Sequence, residues 1–247
     1  MNDYLMIGIK GDNEEELLDF AQACTPFTRF GTFEDQEFAV SNINENIELW
    51  YYGDEGGVYP TSLEMIHRAR QQAEGSVEGW VRFPEENNTG LLQVMMDRGD
   101  TEFPLNVEIL DAFLLKNTEW ENPAEGKGCR LQLTLFPHDL DMYEDEESYR
   151  SAGNQMAAES CIPCGMFPLP GKEAGFKPSA TAVIAGKVTH AQLMENPLTG
   201  LKYWWVSVRC LGNVFDFVAA PEVMPETVKA GNIAHGLFWI AGKILMD

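Results

Sequence analysis

The run Leu201 to Arg209, LKYWWVSVR, alternates with period two, the repeat of an extended strand. Lys202, Trp204, Val206 and Val208 share one face, and Tyr203, Trp205, Ser207 and Arg209 the other. Turn chemistry brackets it. Glu195-Asn196-Pro197-Leu198-Thr199-Gly200 precedes it, and the hairpin pair Gly212-Asn213 follows. Val214 to Ala219 is a further strand. Upstream, Ala180 to Ala191 is rich in β-branched residues, with Gly186 marking a bulge or bend. Downstream, Pro221 to Ala230 is a polar connector with two prolines, followed by the apolar run Leu237 to Leu245. Residues 176–247 thus predict a small closed antiparallel barrel.

This order resembles the OB-fold: a long bent first strand, a hairpin of strands two and three, a connector, and returning strands that close the sheet. Gly186-Lys187-Val188 and Gly242-Lys243-Ile244 carry the likeness, which covers about 70 of the 247 residues. The short, proline-containing connector departs from the pattern and implies a reduced or missing capping helix. The resemblance implies binding on the face of strands two and three. Tyr203, Trp205, Ser207 and Arg209 would form that face, with Asp216 across the hairpin. Trp204, Phe215, Phe217 and Trp239 are assigned to the barrel core. If the chain instead covers that face, Arg209 and Asp216 become a partly buried pair. The exposure of Tyr203 and Trp205 decides between the two.

Charge divides the chain. The net charge is −22. From Phe176 onward six basic residues meet five acidic ones, so about −23 falls on residues 1–175. That asymmetry predicts an acidic α+β region over 1–175, with subdivisions near 1–75 and 76–160, and a separate barrel over 176–247. It also weighs against nucleic acid, whose phosphates need cations. No apolar run approaches the length of a membrane helix, and Met1-Asn2-Asp3-Tyr4 does not open a secretory signal. The expectation is a soluble, cytoplasmic protein of bacterial type. Five scattered cysteines fit free thiols in a reducing compartment.

The acidic region predicts α+β structure with mostly antiparallel strands. Leu5 to Ile9, Phe27 to Phe33, Glu37 to Val40 and Ile47 to Tyr52 read as strands. Asp12 or Asn13 caps a helix whose first turn holds Glu14, Glu15 and Glu16. Leu63 to Arg70 reads as a helix carrying His67 on its surface. Val77 to Phe83 and Leu91 to Met96 form a pair around the turn Glu85 to Gly90. Phe103 to Leu110 and Cys129 to Phe136 add two strands, the latter with Gln132 and Thr134 on a wet face. Asn154 to Glu159 has a helical pattern, and Lys172 to Pro178 is the join to the barrel. No repeat of fixed period is visible.

Cys161-Ile162-Pro163-Cys164 is the one local motif with chemistry. It resembles redox dithiols of the thioredoxin kind, but the strand–CxxC–helix context is missing. As half a zinc site it needs two more ligands, and only Cys129 and His138 could be brought to it. Asp139 and Asp141 begin like a calcium loop, yet the sixth position is Glu144 and the twelfth Arg150, so that reading fails. Asp145 to Ser148 reads instead as a helix start. Phosphate-loop, dinucleotide, zincin and nucleophile-elbow motifs are absent from the sequence. The leading expectation is a non-catalytic binding or interaction protein, with a protein or small molecule as partner, no cofactor and no membrane. A thiol- or metal-dependent enzyme using Cys161 and Cys164 is the alternative. Single-stranded nucleic-acid binding is a second, favoured by stacking aromatics and opposed by the charge.

Overall fold

The computed structural model describes residues 3–11, 13–33, 36–54, 57–70, 72–82, 89–97, 102–168 and 175–246. Residues 85–88 of the expected turn at Glu85 to Gly90 and residues 172–174 of the expected join at Lys172 to Pro178 lie outside these, as does Asp12. The described chain is mostly β, where the sequence predicted α+β.

A 3-10 turn (Asp3–Ile7) stands where Leu5 to Ile9 was expected to be a strand. Helix α1 (Glu14–Cys24) follows, capped by the Asn13 side chain, which accepts the Glu16 N–H at 2.9 Å. Four strands then form an antiparallel meander: β1 (Thr28–Phe33), β2 (Gln36–Asn42), β3 (Ile47–Asp54) and β4 (Gly57–His67). α1 covers one face, where the Thr28 hydroxyl donates to the Cys24 carbonyl at 2.9 Å. The other face carries Phe38 stacked on Trp50, and both meet Phe113 edge-on. Where a helix was expected over Leu63 to Arg70, β4 runs to His67 and irregular chain follows. Pairing of Ile47 with His67 overrides the local helix propensity.

The second sheet has nine strands: β5 (Gln72–Arg82), β6 (Gly90–Asp97), β7 (Glu102–Ile109), β8 (Gly128–Tyr143), β9 (Ser160–Pro163), β10 (Thr181–Glu195), β11 (Lys202–Cys210), β12 (Asn213–Ala219) and β13 (Ile233–Ile244). Its pairings close on themselves twice. One ring runs β5-β6-β7-β13-β8 and back to β5, with β7 and β13 parallel at Glu108↔Ala241. The other runs β10-β11-β12-β8-β13 and back to β10, with β12 and β8 parallel at Asp216↔Thr134. The antiparallel pair β8–β13 belongs to both. Each ring is a three-strand meander, a 3-10 turn (Ala112–Leu115 or Pro221–Val223) and a long fourth strand. Each fourth strand completes the other ring. The meanders' first strands both carry a bulge, at Val77/Gly79 and at Val188/His190.

The topology therefore repeats although no period shows in the sequence. What repeats is the pairing pattern, which many side-chain combinations satisfy. The shared pair is held close by glycines. A Cβ at Gly236 would lie 2.0 Å from the Asp139 carbonyl oxygen, and one at Gly242 2.6 Å from that of Gln132. The ring over the C-terminal third is not closed by that third alone, because β8 supplies one of its strands. The nine-stranded sheet thus runs through the boundary expected at 175/176.

Other expectations shift for the same reason. β8 lies inside both rings, so Thr134 is buried, not wet. Phe215 and Phe217 are core residues, while Trp204 and Trp239 are only half-buried against it. Asn154 to Glu159 is irregular chain; the helix is α2 (Glu146–Ser151), which starts as expected with Asp145 in a reciprocal cap with Ser148.

Candidate functional site

Tyr203, Trp205, Ser207 and Asp216 share one patch on β11 and β12, and all four are buried. What covers them is the chain between β4 and β5. His67, expected on a helix surface, lies fully inside. Its ring meets Trp205 edge-on at 4.8 Å between centroids, and its Nε2 is 3.5 Å from the Tyr203 hydroxyl. The Arg70 guanidinium stacks over the Trp205 ring at 4.0 Å, a cation–π contact, and reaches Gln192 of β10. The Arg70 backbone N–H donates to Asp216 Oδ2 at 2.5 Å, and the Ser207 hydroxyl donates to Oδ1 at 2.5 Å. Behind them the Thr134 hydroxyl donates to the His67 carbonyl at 2.6 Å.

Burial, aided by the Arg70 charge, pushes the His67 imidazole down to about 3, so it is neutral at physiological pH. Burial pushes the Tyr203 phenol up to about 12. Among the described residues, His67 Nδ1 and Trp205 Nε1 are buried without a hydrogen-bond partner. Arg209 does not join Asp216. It lies opposite Val214 and makes a forked ion pair with Glu159, at 2.7 and 3.1 Å, just before β9.

Cys161 lies on β9 and Cys164 just past its end, so the motif sits on strand and loop. Cys161 is half-buried, and burial together with the nearby Cys164 pushes its thiol up to about 12. An activated redox thiol is shifted the other way. Cys164 is exposed and its Sγ donates to the Ile162 carbonyl at 3.4 Å. Cys129 is also pushed up, to about 11, and donates to the Gly75 carbonyl. Among the described residues no group of three or more His, Cys, Asp or Glu is arranged to hold a metal. Titration of the native protein with a thiol-reactive disulfide at pH 8 should therefore show one fast cysteine, Cys164. Loss of the fast phase in Cys164→Ser but not in Cys161→Ser checks this; two fast thiols would contradict it.

The sequence reading missed a second polar cluster. Lys243 on β13 donates to Glu48 on β3 at 2.8 Å and lies 3.3 Å from Asp111, next to β7. Glu48 also accepts from Arg68 and from Trp50 Nε1, and the Lys243 ammonium stands 5.0 Å over the Trp50 ring. Burial pushes the Glu48 carboxyl up, but Lys243 and Arg68 outweigh it and hold it below the ordinary range. Burial keeps Asp111 above its ordinary range despite Lys243. The signal was a lysine between glycine and isoleucine inside an apolar run. Such a charge is buried only when paired.

A shallow cleft of about 340 Å³ lies elsewhere, along β5 and β8, with Trp120 and Arg130 in its lining. It contains none of the expected binding residues. No helix among the described residues is long and apolar enough to cross a membrane. No family model and no curated protein matches the chain.

Proposed function

We propose that this chain is a non-catalytic, polypeptide-binding protein built on two OB-like rings that exchange strands. In the first ring, β5, β6, β7, β8 and β13 take the roles of OB strands one to five in order. In the second, β10, β11, β12 and β13 take the first four roles, and β8 supplies the fifth from earlier in the chain. The proline-containing connector with its single 3-10 turn replaces the usual capping helix.

The observation that supports the reading is the manner in which residues 67–70 lie on β11 and β12. This is the face on which OB-like rings take ligands. It holds a polypeptide segment by a backbone N–H on Asp216, a stacked arginine on Trp205 and an imidazole between Tyr203 and Trp205. Those are the means by which a protein grips a peptide, and aromatic and arginine anchors dominate such contacts. A net charge of −22 supports a polypeptide over a nucleic acid here. Five free thiols support a reducing, cytoplasmic setting.

The test offers the segment in trans. Arg70→Glu removes the stacked cation from the chain's own segment. A synthetic peptide of residues 64–72, EMIHRARQQ, should then bind this variant with micromolar affinity and change its tryptophan emission, while the wild type takes up little. Circular dichroism confirms that the variant is folded. A folded variant that ignores the peptide would overturn the reading, as would equal binding by an Arg70→Glu, Trp205→Leu double variant.

A further inference from the structure

The outer edge of β1 offers a second, independent surface. Among the described residues β1 is hydrogen-bonded to β2 alone. Outer strands are usually blunted by proline, a bulge, clustered charge or a covering element. β1 has no proline, pairs with β2 in unbroken register, and carries one charge, Arg29. Its Phe30 is 68% exposed, and Phe27, just before the strand, is 45% exposed. Phe30 projects on the same face as buried Ala39 and Tyr51, yet is itself exposed. Among the described residues the result is an open row of backbone donors and acceptors with two exposed aromatic residues on or just before the strand.

Charge decides what fits there. Between residues 13 and 37 the sequence holds seven carboxylates and a single cation. A second copy of this chain would set acid against acid, whereas a basic segment would be drawn in. We propose that β1 accepts an extended, lysine- or arginine-rich segment of a partner protein as an additional strand. Backbone pairing to β1 would fix the segment, apolar side chains on one of its faces would lie on Phe30, and its cations would be drawn by carboxylates such as exposed Glu37 on β2, opposite Thr32.

The probe is a ten-residue peptide alternating lysine and valine, fluorescently labelled and titrated into the full chain, with anisotropy as the readout. Saturable one-to-one binding is expected. Phe30→Glu should weaken it at least tenfold, and Phe167→Ser, at an exposed residue far along the chain, should leave it unchanged. The same peptide N-methylated at every backbone amide should not bind, because neither of its edges can then donate to β1. Absence of saturable binding, or equal binding of the methylated peptide, would overturn the proposal. So would a wild-type dimer in sedimentation velocity that Phe30→Glu dissolves, since the edge would then belong to a second copy.

Discussion

Lys243→Met should destabilise the protein by about 3–5 kcal/mol, the cost of leaving buried Asp111 without its cation and Glu48 with Arg68 alone. Glu48 and Asp111 have side chains only 9% and 11% exposed, and Lys243 is the cation that touches both. Its own side chain is 20% exposed, so water offers little compensation. The same lysine joins the four-stranded sheet to the shared strand pair, because Glu48 is on β3 and Lys243 on β13. Removing it should therefore lower the midpoint of urea unfolding and loosen the small sheet against the rings. The Phe38–Trp50–Phe113 cluster lies alongside, so Trp50 emission reports that loosening. Adding Glu48→Gln and Asp111→Asn to the lysine variant should recover part of the loss, since no buried carboxylate is then left unpaired. A lysine variant as stable as wild type would remove the cluster from the account of this fold.

The pH dependence separates the three groups. Lys243 is held above its ordinary 10.5: burial lowers it, and the two carboxylates more than restore it. Its contribution is complete below 10.5 and is lost as pH rises through the folded value. Glu48 is held below its ordinary 4.5, so its contribution is complete above 4.5 and is lost as pH falls through the folded value. Asp111 acts oppositely: its ionised form is a burden that acid relieves. Wild type should thus show an alkaline loss of stability that Lys243→Met lacks.

How much of this could be read in the sequence depends on the range of the interaction. Period-two alternation marks β11, the hairpin signal at Gly212-Asn213 marks β12 after it, and the two strands pair as that signal implies. The three-strand meander of the second ring follows from such local signals. Its closure does not. β8 enters by a parallel pairing of Asp216 with Thr134, and nothing in either strand's own pattern names the other. The shared pair β8–β13 was visible only as two apolar runs over 100 residues apart. His67 shows the same limit. Leu63 to Arg70 contains good helix formers, and the strand there is imposed by β3. The alternation places Tyr203 and Trp205 on one side of a strand and leaves two outcomes for that face, open or covered. Which one holds depends on a segment more than 130 residues earlier that carries no motif.

That segment gives the second large effect. Asp216→Ala should cost about 3 kcal/mol, because the carboxylate receives two hydrogen bonds, and its loss leaves the buried Ser207 hydroxyl and the part-buried Arg70 N–H without their acceptor. The loss should be accompanied by release of residues 67–70, since the Arg70 N–H is what ties that segment to β12. His67 makes the release measurable. Its folded value of about 3 lies below the ordinary 6.5, so the unfolded chain binds a proton that the native protein refuses. Wild-type stability should therefore fall as pH drops from 6.5 toward 3, and this slope is absent above 6.5. In Asp216→Ala the freed imidazole should titrate near its ordinary value, visible as a shifted histidine resonance, and the slope between 6.5 and 3 should flatten. Asp216→Asn separates the causes. It can still accept one bond, from Ser207 or from Arg70, so it should lose less stability than the alanine variant. If His67 remains neutral at pH 5 in Asp216→Ala, the aromatic contacts of Tyr203 and Trp205 hold the segment by themselves. The aspartate would then be only a satisfied acceptor, and the grip on residues 67–70 would belong to the rings.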